Sequence, residues 1–379
     1  MPTITVISRR LKDRLKHFSP ALLQLVGLKL LTKAQTEALL RPFQVSKSIK
    51  SPITLKRVVD AATPEKELFH TKVIETDPDF VWDYPNNTGR ASLLRSGNLA
   101  ISKAFLDTDF GNQAIVTDLL KPDKRTTVTY PVVIAPWSHY WGTYSDFLLF
   151  VVAKLARIKT VLTPAQFDKA VVAYPLSNTP YEAELLGILG VGADRLIDSR
   201  LYIIQFERCI LANNSSWFYP AAADLLALRS LIDKQIPFTS TNTTRRIYIS
   251  RKARRKVNNE EALTTMLRRH DFDIIDDKPR SVREQIALYR SASFIIGPHG
   301  ASFSNILWCR PGTQLFELFA PNYRPEYFRY MSQVLGLRHA AYCLGPPADS
   351  HYTFLDADID VSIDEVERGV LALLSQAGA

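Results

Sequence analysis

The stretch Phe294–Leu318, FIIGPHGASFSNILWCRPGTQLFEL, narrows what this chain can fold into more than any other. Phe294-Ile295-Ile296 has the length and β-branched content of a buried strand. Gly297-Pro298-His299-Gly300 breaks that run, and Ala301 to Trp308 predicts a short helix with Phe303, Ile306 and Leu307 on one face. Pro311-Gly312 ends the helix, and Thr313 to Leu318 is a second apolar strand carrying one acid, Glu317. In an open α/β sheet, ligands bind beyond the carboxyl ends of such strands. The glycine turn frees backbone N–H groups at a helix N-terminus, where an anion such as a pyrophosphate is favoured. Spacing alone fits equally a tight strand-to-helix turn around a buried, structural histidine.

Around this stretch, strand and helix signals alternate, which implies an α/β class with mostly parallel sheets. Strands are predicted at 131–135, 170–174, 195–197, 201–204, 246–250, 272–275 and 339–343, and helices at 144–158, 181–190, 220–233, 260–270, 282–291 and 362–374. At 379 residues, two domains are natural. The expected division is a basic helical segment over 1–50, an α/β domain over 51–236, a second α/β domain over 237–348, and a tail with a helix over 349–379. Prolines 42, 52, 64, 78 and 85 punctuate short strands and loops between 42 and 130. Within them, Trp82-Asp83-Tyr84 reads either as a sugar-stacking surface or as ordinary packing.

A net charge of +9 points to an anionic partner: a nucleoside diphosphate, a nucleic acid or an anionic membrane surface. Three cysteines, Cys209, Cys309 and Cys343, fit no metal pattern and no paired framework, as expected in a reducing compartment. No apolar run reaches the length of a transmembrane helix, and no signal-peptide pattern opens the chain. The expectation is a cytoplasmic protein. Arg9, Arg10, Lys12, Arg14, Lys16 and His17 precede the apolar residues 21–26, so this segment is either an amphipathic contact to an anionic membrane or a helical arm packed on the body.

A second chemical cluster follows the predicted strand that ends at Ser250. Arg251-Lys252-Ala253-Arg254-Arg255-Lys256 places five cations in six positions. Arginine forks match phosphate oxygens. The alternatives are a solvated basic loop or a nucleic-acid patch, although no nucleic-acid-binding fold is signalled. Taken in order, Ser250-Arg251, Arg255-x-Val257-x-Asn259-Glu260, Glu284-Gln285-Ile286, Gly297-x-His299-Gly300-Ala301 with Asn305, and Phe316-Glu317-Leu318 resemble glycosyltransferase family 61. That family includes O-linked N-acetylglucosaminyltransferases and plant xylan arabinosyl- and xylosyltransferases. The resemblance implies a GT-B fold, two doubly wound Rossmann-like domains facing across a cleft. It also implies an inverting transfer from a nucleotide-sugar donor, a UDP-sugar foremost, with no bound metal or other cofactor. The acceptor would be a glycan or lipid-linked glycan in cell-surface polysaccharide synthesis. Carried over by position, Arg251 and Arg255 become diphosphate ligands, and Gly297, His299, Gly300 and Ala301 form the turn against the phosphates. Asn305 braces that turn or touches the donor, and Glu317 sits near the ribose or base.

Inverting transfer needs a base that removes the acceptor hydroxyl proton. Family members carry a histidine-aromatic segment with an acid at a helix start, which Trp141 to Phe147 resembles. Asp146 falls on the acid position, while Gly142 or Thr143 stands where the histidine belongs; in another alignment Asp146 replaces the histidine and Phe150 the acid. Asp146 is therefore the expected base, with His139, nearby but out of register, second. The missing histidine keeps a rival open: a catalytically inactive subunit that binds nucleotide sugar or glycan. A basic nucleic-acid-binding protein is the more distant rival, because it leaves the ordered motifs unexplained.

Overall fold

The computed structural model describes residues 27–48, 51–109, 125–137, 142–214, 216, 218–237, 245–347 and 355–378. The basic stretch Arg9–His17 and the candidate base His139 lie outside these residues. The chain divides into two compact units, one of 1–50 with 77–232, the other of 51–76 with 233–379. No helix among the described residues is long and apolar enough to cross a membrane.

The first unit is built on a ten-stranded sheet. Four of its strands are parallel: β1 (Thr126–Ala135), β2 (Val171–Tyr174), β3 (Leu196–Asp198) and β4 (Tyr202–Ala212), in the spatial order β4-β1-β2-β3. The chain leaves β1 towards β2 and β3, then returns to β1's other side as β4. The remaining strands are added beside β4, with Asp79–Pro85 and Ala91–Leu93 both antiparallel to it. The sheet is therefore mixed rather than mostly parallel, with the reversal of direction confined to its four parallel strands. Among the strands before residue 106, Ala91–Leu93, Leu99–Ile101 and Ala104–Phe105 follow one another too closely for crossover helices and pair antiparallel in sequence, while Gln44–Ser48 joins Asp79–Pro85 from across the segment 51–76. Trp82 and Tyr84 point into the core of this sheet, and Asp83 pairs with Arg208, so the Trp82-Asp83-Tyr84 triplet is packing rather than a sugar platform.

After β1 the chain enters a helical segment that changes pitch, from α-helix over Tyr144–Asp146, through π-helix over Phe147–Val152, to α-helix over Ala153–Val161. All six π residues are buried. Lys154 and Arg157, whose place near the helix end suggests solvent-facing cations, are also buried. Lys154 Nζ donates to the Trp137 carbonyl at 2.6 Å and faces Asp109, while Arg157 pairs with Asp224 at 2.5 Å and donates to the Asn213 carbonyl at 2.6 Å. Buried cations persist only with partners of this kind.

The second unit holds a five-stranded, wholly parallel sheet: β5 (Arg245–Ile249), β6 (Phe272–Ile275), β7 (Ala292–Pro298), β8 (Gln314–Phe319) and β9 (Arg338–Cys343), ordered β6-β5-β7-β8-β9. Helix α1 (Glu260–Arg269) links β5 to β6, α2 (Val282–Ser291) links β6 to β7, a 3₁₀ helix (Ala301–Trp308) links β7 to β8, and α3 (Tyr327–Leu335) links β8 to β9. Helix α4 (Ile363–Gly378) closes the unit beside α1. The amphipathic spacing of α1 buries Leu263, Met266 and Leu267 against Tyr248, Phe294 and Phe316 of the sheet, together with Val366 and Val370 of α4. Local chemistry sets the helix starts. Ser281 and Glu284 form a reciprocal capping box on α2, and the Ser362 hydroxyl accepts from the Glu365 N–H.

The segment 51–76, expected with the first domain, belongs to the second unit. The Ala61 N–H donates to the Ala341 carbonyl of β9, Asp60 accepts from the Cys343 N–H, and Arg329 of α3 donates to the carbonyls of Leu55, Lys56 and His70. Long-range backbone pairing of this kind leaves no local signal. Helix α3, absent from the sequence reading, buries Phe328, Tyr330, Met331 and Leu335 and ends at Gly336 with φ 70°.

Candidate functional site

The strand order β6-β5-β7-β8-β9 reverses direction between β5 and β7. A crevice opens at the carboxyl ends of two strands where the connections diverge, and this is where open α/β sheets bind ligands. The two motifs singled out from sequence meet there: Ser250-Arg251 leaves β5 and Gly297–Ala301 leaves β7. Their 46-residue separation is closed by parallel pairing of Ile247 with Ile295 and Tyr248 with Ile296.

Two glycines are required by close approach. A Cβ at Gly297 would lie 2.8 Å from the Ile249 carbonyl oxygen, so β5 and β7 end too near each other for a side chain. Gly300 has φ 177°, extended backbone open to any residue, but a Cβ there would fall inside the Arg251 guanidinium. Arg251 Nε donates to the Arg254 carbonyl at 2.6 Å, and its Nη1 donates to the His299 carbonyl at 3.3 Å. Burial, then the neighbouring Arg255 and Arg254 charges, bring its pKa down to about 10, which leaves it charged at neutral pH. Arg255 takes a left-handed backbone with φ 60°. Its guanidinium carbon lies 5.1 Å from the centre of the Tyr323 ring, and its buried Nε has no hydrogen-bond partner. An unpaired buried guanidinium N–H is costly and suits an anionic ligand.

The rest of the basic run is tied down. Arg254 pairs with Asp356 at 2.9 Å, Lys256 lies 4.0 Å from Asp358, and the Lys252 N–H donates to Asp277. Lys252, Arg254 and Lys256 are exposed, whereas Arg255 is buried. Glu260, in the first turn of α1, accepts hydrogen bonds from Tyr248 Oη at 2.8 Å and Ser250 Oγ at 2.9 Å, holding the strand end against α1. Asn259 donates to the Val361 carbonyl at 2.7 Å.

His299 is buried, its ring stacked on Phe319 at 5.4 Å and edge-on to Tyr323 at 5.4 Å. Its Nδ1 bonds Glu317. Burial, followed by the Arg255, Arg251 and His339 charges, holds its pKa well below the usual imidazole range, so the ring is neutral. Its backbone carbonyl, rather than Nδ1, reaches Arg251. Glu317 is fully buried beneath the site, and its other oxygen accepts from His339 Nε2 at 3.0 Å. Burial pushes its pKa well up and Arg255 pulls it down. Ala301 is exposed at the start of the 3₁₀ helix. Asn305 is buried: its Nδ2 donates to Gln285 Oε1 at 2.8 Å and to the Ser302 carbonyl at 3.1 Å, and its Oδ1 accepts from Trp308 Nε1 at 3.0 Å. It therefore braces the turn. His339 and Tyr323 escaped the sequence reading. The available signal was Glu317 itself, an acid in an otherwise apolar strand, which requires partners.

In the first unit, Asp146 sits in the first helical turn after β1, on the carboxyl side of the strands. Its N–H is capped by Thr143 Oγ1 at 3.2 Å. The carboxyl is half-buried, and burial, only partly offset by the Thr143 hydrogen bond, pushes its pKa up to about 6. That value suits a proton acceptor at neutral pH. Phe150, the alternative occupant of the acid position, is buried in the π segment.

Residues 99–316, more than half of the chain, match the family model described as Glycosyltransferase 61. The chain is also similar to the xylan glycosyltransferase MUCI21 of Arabidopsis thaliana, with 30% identity over 115 residues. That match covers 29% of this chain and 23% of the relative, so the chain spans about a quarter of the curated relative's length. With a family match that runs from the antiparallel strands of the first unit through the Gly297–Ala301 turn to β8 of the second, the chain belongs to glycosyltransferase family 61.

Proposed function

We propose that this protein is an inverting glycosyltransferase of GT-B type. It transfers a sugar from a nucleoside-diphosphate donor, a UDP-sugar foremost, to a glycan or lipid-linked glycan acceptor in cell-surface polysaccharide synthesis, and uses no bound metal ion. The observation that carries the reading is Arg251 laid across Gly300 at the point where the second unit's strand order reverses. Two arginines and a helix start converge on a place where a diphosphate is favoured. With Arg255 Nε unpaired, a diphosphate oxygen would complete a buried donor that the protein leaves open.

In this reading the acceptor oxygen attacks the sugar's C1 from the face opposite the diphosphate. The C1–O bond to the phosphate breaks, and Asp146 takes the acceptor proton. Arg251 and Arg255 stabilise the charge that grows on the leaving diphosphate. The pKa of about 6 at Asp146 supports its part as base. The protein would work in the cytoplasm, held at an anionic membrane surface by its basic N-terminal residues. Turnover of a panel of UDP-, GDP-, CMP- and dTDP-sugars tests the proposal. One donor should be consumed, with activity lost at least a hundredfold in Arg251→Ala and unchanged by EDTA. Donor binding without transfer, insensitive to Asp146→Asn, would favour the inactive-subunit reading, and no binding of any donor would overturn the proposal.

A further inference from the structure

Glu317 has two histidine partners, and the strand registers explain why. Glu317 is paired with Gly297 of β7 on one side and with Ala341 of β9 on the other. Side chains alternate across a sheet with a period of two. His299, two residues beyond Gly297, and His339, two residues before Ala341, therefore flank Glu317 on one face. Its carboxyl group bonds both: His299 through Nδ1 to Oε1, and His339 through Nε2 at 3.0 Å to Oε2. All three side chains are buried. Nδ1 of His339 is buried and has no partner, which fits a neutral ring whose proton sits on Nε2, towards the glutamate. Beyond His299 the line continues, since its carbonyl accepts from Arg251 Nη1 and Gly300 next to it makes room for the guanidinium.

We infer that His339 is a positioning residue for donor binding, acting through Glu317 and His299 to hold the backbone turn on which Arg251 rests. The inference rests on the donor site proposed above and extends it to the far side of β8. His339 touches neither Arg251 nor the crevice, so it acts by geometry alone. Its N–H fixes the Glu317 carboxylate, the carboxylate fixes the His299 ring, and the ring sets where the His299 carbonyl and Gly300 stand. Packing reinforces the line at each ring: Phe319 stacks on His299, and Phe69 meets His339 edge-on at 6.4 Å.

Calorimetric titration of the full chain with UDP and with GDP, across a double-mutant cycle, provides the test. His339→Phe keeps ring volume and removes the N–H. It should weaken binding of the preferred nucleotide about tenfold, the equivalent of losing one hydrogen bond to a charged group. His339→Gln, whose amide N–H replaces Nε2–H, should restore binding to within about twofold of wild type. In an Arg251→Lys background, where the fork to the His299 carbonyl is already gone, His339→Phe should cost less than about twofold more. A residue that merely stabilised the fold would show neither the rescue nor this loss of coupling. Nucleotide binding unchanged in His339→Phe, or a full additive penalty in the Arg251→Lys background, would overturn the inference while leaving the donor site standing. If the wild-type protein binds neither UDP nor GDP, the titration is repeated with dTDP, and failure of all three removes the donor site and the inference with it.

Discussion

Gly297 and Gly300 lie three residues apart and answer to different constraints, which makes them separable by mutation. At Gly297 an added Cβ meets backbone, the Ile249 carbonyl at 2.8 Å, and two strand ends must shift. Gly297→Ala should cost about 1–3 kcal/mol of stability in urea denaturation, in the range of overpacked cores. At Gly300 the added Cβ meets only the far end of the Arg251 side chain, and extended backbone tolerates alanine. Gly300→Ala should melt within a few degrees of wild type and lose donor affinity by about tenfold or more, because Arg251 is pushed off its seat. Asp146 makes a different prediction. As a base it works only when ionised, and its pKa is raised to about 6. Turnover should be full above that pH and fall about tenfold per unit below it, while Asp146→Asn should lower kcat by about 10²–10⁴-fold with donor binding retained. A pH–rate profile with no acid limb near 6 would remove Asp146 from the role.

The elements that carry these residues are set by local patterns. The predicted spans of α2 and β6 coincide with those observed, because a capping box, an amphipathic stripe and a β-branched run are written in neighbouring residues. The helical segment after β1 departs from the prediction in pitch. Phe147–Val152 is apolar all round, so no stripe fixes a 3.6-residue period there, and the surrounding core decides the winding. One turn later Lys154 is sealed in with Asp109 and the Trp137 carbonyl, tying the helix to the end of β1. Lys154→Met should destabilise the first unit by about 3 kcal/mol in urea denaturation, since it leaves an acid buried without its cation. A change under about 1 kcal/mol would mean that Asp109 finds compensation elsewhere.

At the scale of the molecule, charge and chain assignment are the open properties. Within the second unit, Arg254 and Lys256 of the basic run pair with Asp356 and Asp358. The proposed membrane attachment is tested at the cations of positions 9–16. Replacing Arg9, Arg10, Lys12, Arg14 and Lys16 with glutamine should abolish flotation with anionic vesicles, at about 1 kcal/mol per residue near the surface, and should leave turnover of a soluble acceptor intact. Flotation unchanged by the substitutions would exclude these residues as the anchor.

The α/β class, the strand-turn-helix around Gly297, the cationic exit of the strand at Ser250 and the family are legible in the chain alone. Each is carried by residues close in the chain or by an ordered set of motifs. That these two motifs flank one reversal of strand order, and that 51–76 completes the second unit, emerges from the fold. It also shows Glu317 held between His299 and His339. The reason is physical. Periodicity and capping act over one or two turns of chain, whereas strand order, register and the partner of a buried charge depend on segments brought together from 20 to 280 residues apart.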